Sequence, residues 1–166
     1  MIHAVYPGSF DPPHNGHLDI IRRGKTVCDR LTVAVLGNPL KSSYLFSLEE
    51  RVHLLREAMA GLEHVEVETF SGLLVEYARR KKAQIILKSL RGALDFEYEA
   101  QMAGLNRTLY PPAETLLMLA SPEWSFVSST RVRELASLGA DVSGLVPEAS
   151  LRALGGKFGY GQGLFS

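Results

Sequence analysis

Five short runs rich in valine, isoleucine and leucine punctuate the chain at residues 2–6, 31–36, 64–69, 84–88 and 115–119. A helix-period segment follows each run, near 16–27, 47–60, 72–82, 93–108 and 129–138. Strands separated by helices pair in parallel, because a parallel neighbour needs a crossover of a dozen or more residues and a helix supplies it. Several runs lack in-out alternation, as strands do when helices cover both faces of a sheet. The pattern predicts a doubly wound α/β fold on a five-stranded parallel sheet of the Rossmann-like kind. One boundary is marked chemically: Ser47, followed three residues later by Glu50, forms a capping box that starts the second helix.

Such sheets bind ligands outside the carboxyl ends of their strands, where the strand order reverses. The chemistry is therefore expected in the loops at 7–17, 37–46, 70–73, 88–92 and 120–129. The 166 residues suit one domain, placed at 1–156; the ending "GGKFGYGQGLFS" is glycine-rich, and residues 157–166 within it read as a flexible tail, since its G-x-G lacks a preceding strand and a following helix. Lysine plus arginine equals aspartate plus glutamate at 18 each, so no overall field draws the chain to nucleic acid or anionic lipid. No stretch is long and apolar enough to span a membrane, the single Cys28 cannot close an internal disulfide, and "MIHAVYPGSF" has no secretion-signal character. A soluble, cytoplasmic protein is the expectation.

The first loop carries an unusual composition, "AVYPGSFDPPHNGHLDIIRRG". A turn uses Gly and Pro for their backbone angles but has no need of His14 and His17. They stand where the first helix begins and its unpaired N–H groups favour an anion. Three readings apply: polar surface residues; a metal pair aided by Asp11 or Asp19, although H-E-x-x-H and any other Cys or His cluster are missing; or imidazoles that hydrogen-bond phosphate oxygens, with Gly16 letting a ligand approach the backbone. Position favours the third. A second anion pocket is expected at the fifth helix, where Ser128 or Ser129 would cap and Arg131 or Arg133 would add charge. Two helix amino termini facing one crevice suit a triphosphate.

These residues resemble the nucleotidyltransferase superfamily, whose signatures are His-x-Gly-His, here His14-Asn15-Gly16-His17, and Ser-Ser-Thr-x-x-Arg, here Ser128-Ser129-Thr130-Arg131-Val132-Arg133. "YPGSFDP", "NGH", "LRGALDFEYEAQMAGLNR" and "PEWSFVSST", in order and spacing from about residue 2 to about residue 155, are similar to the bacterial phosphopantetheine adenylyltransferases. The resemblance implies a nucleotidyltransferase fold and transfer of adenylyl from ATP to 4'-phosphopantetheine. It implies catalytic roles for His17, Lys41 and Lys88. It also implies ATP-binding roles for Ser9, Phe10, His17, Ser89, Leu90, Arg91, Glu99, Trp124, Ser125, Phe126, Val127, Ser128, Ser129 and Thr130. Ser9, Lys41, Leu74 and Lys88 would hold the acceptor. Mg²⁺ bound mainly through the ATP phosphates, coenzyme A as feedback inhibitor and a homohexamer are further implications.

Two positions depart from the family pattern. Lys88 stands where arginine is usual, keeping charge without the bidentate fork, and Ser89 stands where glycine is usual. The run Arg79, Arg80, Lys81, Lys82 ends the third helix, where cations favour the dipole, and reads as solvated surface. The alternatives are a sister adenylyl- or cytidylyltransferase with another phosphate acceptor, and a nucleotide-binding sensor without chemistry. The "LRGALDFEYEAQMAGLNR" stretch speaks against the first, and intact His17, Lys41 and Arg91 against the second.

Overall fold

All five apolar runs pair in one direction. The computed structural model describes residues 1–38, 40 and 43–159. It contains β1 (His3–Gly8), α1 (Asn15–Gly24), β2 (Arg30–Leu36), α2 (Leu48–Ala58), β3 (Val65–Phe70), α3 (Leu74–Lys81), β4 (Ile85–Leu90), α4 (Ala93–Leu109), β5 (Glu114–Leu119), a 3₁₀ turn at Pro122–Trp124, α5 (Ser129–Ser137) and α6 (Glu148–Phe158). The strands lie in the order β3-β2-β1-β4-β5, every neighbouring pair parallel, with His3 opposite Arg30, Leu31 opposite Val65, Ala4 opposite Ile85 and Ile85 opposite Glu114.

Alternation along the strands divides the core. Ala4, Tyr6, Leu31, Val33, Val35, Val67 and Leu87 pack with Leu18 and Ile21 of α1 and Val52 and Leu55 of α2. Val5, Ala34 and Ile86 face the other way, toward Tyr77 and Ala78 of α3 and Ala113. The chain thus lays β2 and β3 to one side of β1, then crosses to lay β4 and β5 on the other. The strand order reverses between β1 and β4, and this opens the crevice at their carboxyl ends. The α2 capping box is present: Ser47 Oγ accepts from Glu50 N at 3.1 Å, and the Glu50 carboxylate accepts from Ser47 N at 2.7 Å.

The carboxyl-terminal part departs from the sequence reading. Residues 157 and 158, expected to open a flexible tail, complete α6, which includes Gly155 and Gly156; residues 160–166 lie outside the described residues. Glycine disfavours a helix by up to about 1 kcal/mol per residue, so local propensity does not make this one. Packing does. Leu154 and Ala149 bury with Val132 and Ala136 of α5, Leu54 of α2 and Phe46 in a third apolar cluster beside the sheet.

Gly24, the last residue of α1, lies tight against β4: a Cβ there would sit 2.5 Å from Leu87 Cδ2, and Leu87 is fully buried. Gly24→Ala is therefore expected to lower stability by about 1–2 kcal/mol despite its better helix propensity. The urea midpoint of unfolding reports this, and a higher midpoint would contradict the packing.

Candidate active site

The loop after β1 is shaped so that α1 starts under the crevice. Phe10, with φ of 50°, turns its ring into the core against Tyr6, at 5.6 Å between centroids, and against His17, at 4.8 Å. His14 is the N-cap of α1, and its ring stacks on that of His17 at 3.6 Å and 24°. Gly16 serves this stack, since a Cβ would lie 3.0 Å from the His14 ring; the glycine expected to admit ligand also makes room for imidazole.

One hydrogen bond settles the protonation of His17. The backbone N–H of His14 donates to His17 Nδ1 at 3.1 Å, so Nδ1 must present a lone pair and the neutral ring carries its proton on Nε2. Burial, then the neighbouring His14 and Arg91, hold the His17 pKa well below its ordinary 6.5. Burial, then Arg91, takes His14 down to about 3. Both imidazoles are neutral at physiological pH, and His17 is a fixed N–H donor. His14 Nδ1 is buried without a hydrogen-bond partner.

Around His17 a cavity of about 310 Å³ gathers Ser9, Phe10, Ser89, Arg91, Glu99, Trp124, Val127, Ser128, Ser129 and Thr130 from the sequence-derived set, together with His14, Gly16 and Asp95. Ser128 caps α5 by accepting from Arg131 N at 3.2 Å, so the amino termini of α1 and α5 meet in one crevice. Leu90 is buried at the end of β4, where its carbonyl accepts from Ala120 N at 2.8 Å. Ser125 and Phe126 line a neighbouring concavity of about 580 Å³ with Arg91 and Arg131. Lys88 reaches from β4 to α4 and ion-pairs with Glu99 at 3.2 Å. Leu74 begins α3 and packs beside Phe70 and Tyr77. Lys41 lies outside the described residues.

Several expectations change. Arg133 is turned from the crevice, donating to the Asp11 carbonyl at 2.5 Å with the Asp11 carboxylate at 3.6 Å. The two carboxylates weighed as metal partners are engaged elsewhere: Asp11 accepts from Leu45 N and Phe46 N, each at 2.9 Å, and Asp19 accepts from Arg23 at 2.8 Å and Ser121 Oγ at 2.9 Å. Among the described residues no group of three or more His, Cys, Asp or Glu is placed to hold a metal. The basic run of α3 is not uniformly solvated, for Lys81 pairs with Glu68 at 2.5 Å and Arg80 lines a larger cavity of about 700 Å³.

That larger cavity, between the ends of β2 and β3, contains a residue the sequence reading missed. Arg51 is 2% exposed and donates to the carbonyls of Ser9 at 2.7 Å and Leu36 at 3.0 Å, under the ring of Tyr44 at 4.1 Å. Its signal was present: Arg51 is three residues after Leu48 and four before Leu55, on the apolar stripe of α2. Asp95 was missed too, although it stands four residues from both Arg91 and Glu99.

Comparison with known proteins agrees with this arrangement. A family model described as cytidylyltransferase-like matches residues 5–135. The phosphopantetheine adenylyltransferase of Thioalkalivibrio sulfidiphilus is 50% identical over 156 residues, covering 94% of this chain and 98% of the relative. That of Desulfosudis oleivorans is 46% identical, covering 95% and 93%, and that of Alkaliphilus oremlandii 49% identical, covering 93% and 98%.

The neutral histidines have a thermodynamic consequence. With folded pKa values below 6.5, His14 and His17 bind fewer protons folded than unfolded, so the stability present above pH 6.5 is lost as pH falls below it. Each is expected to contribute a slope of up to about 1.4 kcal/mol per pH unit between about pH 6.5 and 5, above the range where carboxylates act. Denaturant unfolding across that range measures the slope, which His14→Gln should reduce. A pH-independent midpoint in the unmodified protein would contradict the burial of neutral rings.

Proposed function

The chain belongs to the phosphopantetheine adenylyltransferase family, and we infer that it transfers the adenylyl group of ATP to 4'-phosphopantetheine, releasing pyrophosphate and forming dephospho-coenzyme A. The observation that carries the chemistry is His17, a neutral Nε2–H donor fixed between two helix amino termini. An acceptor phosphate oxygen attacks the α-phosphorus, and the bond to the bridging oxygen of pyrophosphate breaks. A phosphate monoester loses its second proton near a pKa of about 6, so the nucleophile is already ionised and needs no general base. Catalysis is then positioning and stabilisation of charge on the α-phosphoryl oxygens, to which His17 Nε2–H donates.

The residue roles in this reading are those that the family resemblance implies. Ser9, Phe10, Ser89, Arg91, Glu99, Trp124 and Val127 to Thr130, with Leu90, Ser125 and Phe126 adjoining, form the nucleotide half. Ser9, Lys88 and Leu74 form the acceptor half, with Lys41 joining it in this reading. The cavity lined by Gly37, Phe70, Ser71 and Arg51 offers room for the uncharged pantetheine arm and meets the crevice through the Arg51 bond to Ser9. Mg²⁺ would enter on the ATP phosphates, neutralising their charge. Coenzyme A carries the acceptor's own arm and would compete for the same site.

Self-association is supported by α4, which buries only Asn106 and exposes Leu94, Tyr98, Leu105 and Leu109 along one stripe. The homohexamer typical of the family would cover that face. A cytoplasmic location is part of this reading; among the described residues no helix is long and apolar enough to cross a membrane.

His17→Ala is expected to lower kcat about 100- to 1,000-fold while KM for ATP changes little, because the donated bond strengthens only in the transition state. An unchanged kcat removes His17 from the mechanism. In a pyrophosphate-release assay, 4'-phosphopantetheine is expected to turn over rapidly, while nicotinate mononucleotide and dephosphorylated pantetheine are not. Equal rates with nicotinate mononucleotide would contradict the acceptor assignment, and turnover of pantetheine would reveal a general base.

A further inference from the structure

Helix α4 turns two carboxylates, Asp95 and Glu99, into the crevice one helical turn apart. A site for a triphosphate and a phosphate monoester should repel such groups. Each, however, closes on a cation from the end of β4. Asp95 accepts from Arg91 Nε at 3.1 Å, from its Nη2 at 3.5 Å and from its backbone N–H at 3.0 Å. Glu99 Oε1 lies 3.2 Å from Lys88 Nζ.

The Nε and Nη2 edge of Arg91 is the fork by which guanidinium grips an oxyanion, and here a carboxylate grips it first. Asp95 itself stands in the first turn of α4, a place that favours an anion. These pairs are only partly sheltered, with side-chain exposures of 42% and 30% for Arg91 and Asp95, and of 25% and 14% for Lys88 and Glu99. The Arg91–Asp95 pair is exposed enough to be weak and to exchange, whereas the more sheltered Lys88–Glu99 pair opens only when a phosphate takes the place of the carboxylate beside Lys88.

We propose that Asp95 and Glu99 stand in for substrate phosphates, holding Arg91 and Lys88 in place in the free enzyme and releasing them by ion-pair exchange, Asp95 to the nucleotide and Glu99 to the acceptor. The proposal rests on the adenylyl-transfer reading. It makes ATP affinity a balance between phosphate and carboxylate at Arg91. Asp95 is thereby a positioning residue in the free enzyme and a competitor when ATP arrives.

The charge of Asp95 is the quantity to change. Asp95→Asn keeps an acceptor for the Arg91 N–H but removes the competing charge. Titration calorimetry with ATP is expected to give a Kd roughly three- to tenfold tighter than for the unmodified enzyme, with a steeper dependence on salt. Asp95→Glu, which keeps the charge, is expected to stay near the unmodified value. Glu99→Gln, titrated with 4'-phosphopantetheine, is expected to tighten similarly. ATP binding that is equal or weaker in Asp95→Asn, or equal tightening in Asp95→Glu, would overturn the proposal, leaving Asp95 an orienting partner of Arg91. An unmodified enzyme that binds no ATP would overturn the adenylyl-transfer reading as well.

Discussion

A carbonyl that leaves a sheet has lost its ladder partner and must find a donor, and the loop after β1 meets that requirement almost residue by residue. Ser9 O accepts from Arg51 of α2 at 2.7 Å, Asp11 O from Arg133 of α5 at 2.5 Å, Pro12 O from Ser129 of α5 at 2.8 Å and Pro13 O from Ser150 of α6 at 2.8 Å. Asn15 N then donates to Leu145 O at 2.9 Å. A single such bond contributes about 1 kcal/mol net, but together they leave the loop few alternative conformations. The histidine side of the crevice hangs from this fastening. It sets Phe10, His14 and His17 before any substrate arrives.

The fastening also explains the electrostatics. Because the loop places His14 N–H against His17 Nδ1, the ring has one neutral tautomer and its donor is committed to Nε2. A neutral donor is suited to charge that grows during reaction, since it does not neutralise the ground-state phosphate as an imidazolium would. The permanent positive charges sit on a separate element, Lys88 on β4 and Arg91 just after it, and pair with Glu99 and Asp95 of α4. The Ser-Ser-Thr motif divides its labour in the same way. Ser128 caps α5 and Thr130 lines the crevice, while Ser129 and Arg133 hold the histidine loop.

Much of this was legible in the residues because strand and helix periods are local and strong. The five strands and their parallel pairing followed from periodicity, the crevice beside β1 from the way such sheets bind ligands, and the caps of α2 and α5 from single side chains, whereas the strand order itself came only with the structure. What was hidden depends on partners distant in sequence. Helix α6 looks like a tail because Gly155 and Gly156 argue locally against it, and only packing on α5 and α2 makes it helical. Arg133 looks like a phosphate ligand until Asp11, 122 residues away, claims it. Arg51 and Asp95 carry weak local signals, a charge on an apolar stripe and an i, i+4 pair, whose meaning needs the carbonyl or cation each one meets.

The central claim is that the fold presets His17 as a neutral Nε2–H donor, and the ring nitrogens can be read directly. Long-range ¹H–¹⁵N correlation spectra of the ¹⁵N-labelled protein, recorded between about pH 5 and 8, assign tautomer and charge for each histidine. The account predicts that His17 stays neutral throughout, with its proton on Nε2 and an unprotonated Nδ1 shifted by the bond from His14 N–H. An imidazolium forming near the ordinary pKa of 6.5, or a proton on Nδ1, would contradict it.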